Sequence, residues 1–158
     1  MNFKKNWALI ILIIAIVAIA TALIAEYIFN ILPCQMCIYQ RYSYYSLIIL
    51  SIIFLLLKKQ SSSIYYLLVE IMLIIGLFFS LWHIGIENHL IDGPSSCSSN
   101  MGNINNIQDL KEYILNRPVI ACDEINWTFL GVSFAIYNSI LQMILLINNS
   151  RYIFKKNG

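Results

Sequence analysis

The chain has 158 residues, of which 59% are hydrophobic and only 11% charged, and its mean hydropathy is +0.73. That much apolar surface excludes an ordinary soluble domain, and a net charge of +2 gives no sign of nucleic-acid binding. The composition is that of a protein whose solvent is lipid.

About 20 consecutive apolar residues cross a bilayer core of roughly 30 Å. Four stretches qualify, residues 7–31, 39–57, 64–84 and 129–147. They leave little room for a soluble core, so residues 1–158 read as one integral-membrane domain. Lipid-exposed backbone must satisfy its hydrogen bonds within a helix or a closed barrel. The expected fold is therefore an all-α bundle of four transmembrane helices.

The first span imitates a secretory signal, with Lys4 and Lys5 as a basic start and Ala20-Thr21-Ala22 resembling a cleavage site. Its apolar run continues to Ile31, longer than a signal's core of about 7–15 residues, and it reads as a retained helix. Pro33 turns the chain in the short link to the second span, because proline cannot continue a helix without losing a hydrogen bond. The link at 58–63 is equally short. The long loop, residues 85–128, holds the turn signal Asp92-Gly93-Pro94 and a Ser/Asn-rich stretch at 95–106. Beyond it, Ile107, Leu110, Tyr113 and Ile114 recur at helical spacing among polar residues. They predict a short amphipathic helix, lying on the membrane surface or packed on top of the bundle.

Basic residues set the orientation. With four spans, Lys4, Lys5, Lys58, Lys59, Arg151, Lys155 and Lys156 all fall on one side. The other side has Arg41, Lys111 and Arg117 against a larger number of carboxylates, Glu87 and Asp92 among them. Both termini are therefore expected in the cytoplasm, and all four cysteines outside it. In a bacterium that outer compartment is where disulfides persist.

Cys34-Gln35-Met36-Cys37 stands where the second span begins. Thiolates are favoured at helix N-termini, where unpaired N–H groups and the helix dipole present positive charge. Arg41 follows Cys37 by four residues and projects from the same face. A guanidinium there can stabilise a thiolate and bind an oxygen that becomes anionic on reduction. The alternatives are a structural disulfide for the pair and headgroup snorkelling for Arg41. A second cysteine pair and Arg41 on the same face favour redox chemistry. Haem attachment would need His after Cys37, where Ile38 stands. A four-cysteine zinc site would need a second short-spaced pair, and Cys97 and Cys122 are 25 positions apart.

Cys97 lies among Ser95, Ser96, Ser98 and Ser99, small neighbours that suggest an exposed sulfur open to another protein's thiolate. Cys122 precedes the acidic Asp123 and Glu124. Taken alone, these two read as a staple closing a 25-residue segment, worth roughly 3 kcal/mol in chain entropy. His83 closes the third span beside Trp82, either as a satisfied polar anchor or as a contact to the ligand of the Cys-x-x-Cys end. Glu26 and Glu70 are intramembrane carboxylates without an assigned role. Tyr39, Tyr42, Tyr44 and Tyr45 look like an interfacial aromatic belt.

Two local sequences carry a family resemblance. Pro33-Cys34-Gln35-Met36-Cys37-Ile38-Tyr39-Gln40-Arg41 is similar to the P-C-x-x-C-[IF]-[YF]-[EQ]-R run of the DsbB family of disulfide-bond formation proteins. Cys122-Asp123-Glu124-Ile125-Asn126-Trp127-Thr128-Phe129-Leu130-Gly131 resembles its C-x(4)-W-x-F-x-G segment, and the likeness extends over nearly the whole chain. One departure follows, at Ser133-Phe134-Ala135-Ile136-Tyr137-Asn138, where many relatives have Met-Pro-x-Trp-Asn. The resemblance implies a quinone-dependent thiol oxidase, multi-pass in the bacterial inner membrane, that reoxidises a periplasmic DsbA-type dithiol oxidase. By motif match Cys97 would form the mixed disulfide with that partner. Cys122 would pass electrons through an interloop disulfide with Cys34. Cys37, assisted by Arg41, would deliver them to ubiquinone or menaquinone, and His83 falls near the family's quinone-contacting histidine. The alternatives are a four-span interaction protein with inert disulfides and a vitamin K epoxide reductase-like thiol–quinone enzyme.

Overall fold

The computed structural model describes residues 3–94, 97, 121–123, 125 and 128–157. Four long helices dominate: α1 (Phe3–Tyr27), α2 (Gln35–Leu56), α3 (Ser63–Glu87) and α4 (Phe134–Asn157). A two-stranded antiparallel hairpin, β1 (Thr128–Phe129) and β2 (Val132–Ser133), leads into α4. The amphipathic helix expected at 107–114 lies outside the described residues.

The first three helices end alike. Asn30, Lys58 and His89 take left-handed backbone angles, with φ of 53°, 55° and 55°. The N–H groups around them turn back onto carbonyls of the last turn, as in Ile31 to Ala25, Lys59 to Phe54 and Leu90 to Gly85. This satisfies acceptors that a helix end otherwise leaves open. It also stops α1 at Tyr27, four residues short of the apolar run that ends at Ile31. Hydropathy measures compatibility with lipid, whereas the helix end is set by the left-handed Asn30 ahead of Pro33.

The fourth helix departs from expectation at its start. The apolar run begins at 129, but Leu130 and Gly131 adopt φ of 52° and 78° and form a tight hairpin turn. Such turns need positive φ at both central positions, which glycine supplies without strain. α4 therefore starts at Phe134, immediately after Ser133, and runs past 147 to Asn157.

Packing is inverted relative to a water-soluble bundle. Ile49, Ile53, Ile74, Phe78, Ile140 and Ile144 face outward, while Gln40, Ser43, Ser51, Ser80, Ser139, Gln142 and Asn149 are buried. An exposed apolar belt of that extent is untenable in water, whereas buried polar side chains can hold helices together in lipid. Asn6–Tyr27 and Ser63–Glu87 are long and apolar enough to cross a bilayer on composition alone. α2 and α4, of 22 and 24 residues, match them in length but are more polar.

Two clusters of buried side chains divide the bundle. One, at the end carrying both chain termini, packs Trp7, Ile11, Leu47, Tyr65, Val69, Leu73 and Leu145. The other, at the opposite end, gathers Cys34, Met36, Ile86, Cys97 and Cys122, flanked by Cys37, Tyr39, Phe79 and Trp82. Gly76 permits close approach of α3 to its neighbours, since a Cβ there would lie 2.6 Å from Ser43 Oγ and also meet the Gln142 amide. Glu70 is absorbed into the first end: Asn149 Nδ2 donates to it at 2.6 Å and to Tyr66 O at 2.9 Å, and Ser150 also donates to it. Trp7 Nε1 donates to Asn149 Oδ1 at 2.9 Å.

Asn149 thus joins α1, α3 and α4 through one fully buried amide. Asn149→Ala should cost about 1–3 kcal/mol by leaving the Trp7 indole N–H unpaired and taking one donor from the Glu70 carboxylate. The expected signature is a lower thermal midpoint of the detergent-solubilised protein, with a changed Trp7 environment in fluorescence.

Candidate thiol site

Cys34 is the N-cap of α2. Its backbone is extended (φ −73°, ψ 168°), and its Sγ accepts from Cys37 N–H at 3.3 Å. Cysteine therefore occupies a position where serine or aspartate commonly caps, which places sulfur against the positive end of the helix. Cys37, one turn later, brings its Sγ to 2.8 Å from that of Cys34; both are free thiols.

His83, buried in the last turns of α3, completes the sulfur's surroundings. Its Nε2 is 3.5 Å from Cys34 Sγ and 3.7 Å from Glu87 Oε1, and its Nδ1 is 2.9 Å from the Gln40 amide nitrogen. Glu87 in turn accepts from Ser133 Oγ at 2.7 Å. The Cys37 thiol hydrogen bond holds Cys34 well below the usual thiol range; burial opposes this, and the His83 contact and the Cys37 backbone N–H assist it. The ligand atoms of Cys34, Cys37 and His83 lie within 4.8 Å of one another. That spacing could hold a metal ion only with a lone pair free on Nε2.

The second pair forms a disulfide, Cys97–Cys122, with Cα atoms 4.8 Å apart. Cys97 N–H donates to Pro94 O at 2.7 Å, and Cys122 N–H to Cys97 O at 2.9 Å. The expectation of an exposed Cys97 is corrected: it is fully buried, and Cys122 nearly so. Small neighbours make exposure possible, but Cys97 itself packs by Gly93 and by Ile86 of α3. The interloop link between Cys34 and Cys122 is absent in this state, although both sulfurs belong to the same apolar cluster.

Arg41 also differs from expectation. The sequence leaves Glu26 unassigned and gives Arg41 an anionic partner only during chemistry. In the structure Arg41 Nη1 donates to Glu26 Oε2 at 2.5 Å and Nη2 to Ala22 O at 3.4 Å. The turn at Pro33 lays the end of α1 beside the start of α2, and a permanent counter-ion offsets the desolvation of the guanidinium.

Between α1, α2 and α4 lies a cavity of about 500 Å³, bordered by Cys34, Cys37, Gln40, Arg41 and His83 at one end. Ile14, Val17, Ala18 and Leu141 line the rest. Apolar walls with a few convergent polar groups are the usual form of a small-molecule site. Sequence reasoning missed Gln40, Glu87 and Asn138 here. A signal existed for each: Glu87 stands four residues after His83, Gln40 directly precedes Arg41, and Asn138 interrupts an apolar run.

A family model described as "Disulfide bond formation protein DsbB" matches residues 4–149. An uncharacterized protein of Rickettsia prowazekii (strain Madrid E) is 33% identical over 142 residues, covering 88% of this chain and 81% of the relative. With the match running through all four helices and both cysteine pairs, the chain belongs to the DsbB family of disulfide bond formation proteins.

Proposed function

We propose that this protein is a quinone-dependent thiol oxidase of the bacterial inner membrane, reoxidising a periplasmic DsbA-type dithiol protein. One observation carries the reading. A disulfide and a free thiol pair share one apolar cluster, and the thiol pair also borders a cavity shaped for a small apolar ligand. A disulfide that only staples a loop has no need of a dithiol against it.

In this reading all four helices span the membrane, with both termini cytoplasmic. Support comes from α4, whose polar Ser139, Gln142 and Asn149 are buried while Ile140, Met143 and Ile144 face out. Its low hydropathy comes from that inner face together with the polar and basic residues of its last turns, Asn148, Arg151, Lys155 and Lys156 among them. Lys58 and Lys59 lie at the end of the bundle carrying the chain termini, and the cysteines at the other.

The chemistry balances as two exchanges and one transfer. The partner's dithiol reduces Cys97–Cys122, becoming a disulfide itself and leaving two thiols. These reduce a Cys34–Cys37 disulfide through a Cys122–Cys34 link, which restores Cys97–Cys122 and leaves Cys34 and Cys37 as thiols. The described state matches this point. Re-forming the Cys34–Cys37 bond then gives up two electrons and two protons. When bound, a quinone would supply the sink for both. Arg41, Gln40 and His83 would hold its polar edge, and Ile14, Val17 and Ala18 its apolar part.

Cys122→Ser removes the resolving thiol, so Cys97 attacking the oxidised, disulfide form of the periplasmic partner should leave a Cys97-linked complex, with one partner thiol released, that accumulates and is visible on non-reducing gels. Absence of any such complex would refute the proposed order. Arg41→Met should keep the Cys97–Cys122 disulfide but weaken quinone use, and combining it with Glu26→Gln avoids leaving a buried carboxylate without its counter-ion. A charge-assisted contact is worth about 1.5–3 kcal/mol, so the apparent quinone KM should rise roughly tenfold or more. Arg41→Lys should fall between, since ammonium keeps the charge without the planar fork. The assay is oxidation of reduced partner by purified enzyme across a quinone titration. Wild-type kinetics for Arg41→Met would leave the arginine with only its structural pairing to Glu26.

A further inference from the structure

His83 has two ring nitrogens, and which one carries the proton decides what it can do for the Cys34 sulfur. Its surroundings fix the answer through a chain of hydrogen bonds that can be followed from a backbone carbonyl. Ala135 O can only accept, so Ser80 Oγ, 3.0 Å away, donates its one proton there. Ser80 then offers only lone pairs to its other neighbours, Ser139 Oγ at 2.5 Å and the Asn138 amide at 3.4 Å. Asn138 must therefore turn its Nδ2 toward Ser80, and the same Nδ2 donates to Gln40 Oε1 at 2.7 Å. Its Oδ1 faces the other way and accepts from Tyr44 O–H. With Oε1 committed to Asn138, Gln40 presents its Nε2 to His83 Nδ1 at 2.9 Å. Nδ1 must then be bare, and the imidazole proton sits on Nε2.

The opposite side of the ring agrees independently. Nε2 faces Cys34 Sγ at 3.5 Å and Glu87 Oε1 at 3.7 Å. The carboxylate accepts only, so a ring N–H suits this side, and it can also serve the Cys34 sulfur whenever that sulfur is ionised.

We propose that Asn138, acting through Gln40, is a positioning residue for the thiol chemistry: it fixes His83 as an Nε2–H donor to the Cys34 sulfur. The inference rests on the proposed function for its purpose but not for its geometry. In this arrangement the imidazole stabilises sulfur anion at Cys34 and does not take the thiol proton as a base. Cys34 is thereby made the better leaving group when Cys97 attacks Cys122 and resolves the Cys122–Cys34 link. The same arrangement turns the Cys34–Cys37–His83 set away from metal binding, because Nε2 has no lone pair to give.

Other charged or titratable groups around the site are Glu87 on α3 and Cys37 and Arg41 on α2, with Glu26 on α1 paired to Arg41. Among the described residues α4 brings only neutral groups to this chain, Asn138 and Ser139, with Ser133 just ahead of it on Glu87. The test therefore reads the tautomer itself. The protein has two histidines, so nitrogen-15 NMR of histidine-labelled protein in detergent, with His89→Gln for assignment, reports the protonated nitrogen of His83. Wild type should show Nε2–H. Asn138→Asp replaces the donor by an acceptor, so the Gln40 amide should turn over and His83 should move its proton to Nδ1. The midpoint of the pH profile for alkylation of Cys34 by iodoacetamide, followed separately from Cys37 by mass spectrometry, should then rise by about one pH unit, a tenfold loss of thiol acidity.

Gln40→Glu separates tautomer from charge. It places a carboxylate closer to the sulfur than Asn138→Asp does, but it holds Nδ1–H while Nε2 keeps its own proton against Cys34 and Glu87. The Cys34 midpoint should therefore stay at its wild-type value or fall below it. An Nδ1–H tautomer in wild type overturns the proposal even if no variant folds. An unchanged tautomer in Asn138→Asp, or a raised Cys34 midpoint in Gln40→Glu, overturns it as well. Loss of partner oxidation with the wild-type tautomer intact would instead count against the functional reading alone.

Discussion

A sulfur anion at the rim of a lipid-embedded bundle persists only where protein donors replace the water it has lost. Cys34 meets that condition by standing at the N-cap of α2, with the Cys37 N–H and thiol on one side and His83 on the other. Much of the surrounding architecture is arranged to hold those donors. Pro33 and the left-handed Asn30 end α1 and start α2 at the required place. α3 runs on to Glu87, which carries His83 to the sulfur, and the hairpin before α4 sets Ser133 against Glu87.

The same solvent argument governs the charges. Arg41 and Glu26 are each about four-fifths buried, and either alone would be costly there. Joined, they leave no net charge where Arg41 borders the cavity. An arginine so compensated still has donors to offer an incoming oxygen, since Glu26 occupies one end of its planar fork and the Ala22 carbonyl is a longer contact. Polar side chains elsewhere in the bundle follow this logic: Asn149, Gln142 and the Ser80–Ser139 pair lie inside, and the outer faces are left to isoleucine and leucine.

Burial of Cys97 and Cys122 changes how the two cysteine pairs relate. A disulfide on a free loop could meet an outside thiol at any time. One that belongs to the same apolar cluster as Met36, Ile86 and Cys34 has to be uncovered before an outside thiol can reach it. Shared burial thus links two pairs that are far apart in sequence, and the Cys97 N–H on Pro94 and Cys122 N–H on Cys97 fix the backbone of that link.

The sequence by itself determined the lipid setting, the approximate positions of the four helices, the grouping of the cysteines and the candidacy of Arg41 and His83. Apolar runs, proline and the Cys-x-x-Cys spacing are local signals and need no partner to be read. It could not decide where α1 stops or that α4 begins with a hairpin, because these depend on single left-handed residues, Asn30, Leu130 and Gly131, within apolar stretches. Nor could it pair Glu26 with Arg41, bury Cys97, or select the tautomer of His83. Each of those depends on groups brought from separate helices. A side chain's charge partner, its solvent and the direction of its hydrogen bonds are properties of the space around it, and only the folded bundle creates that space.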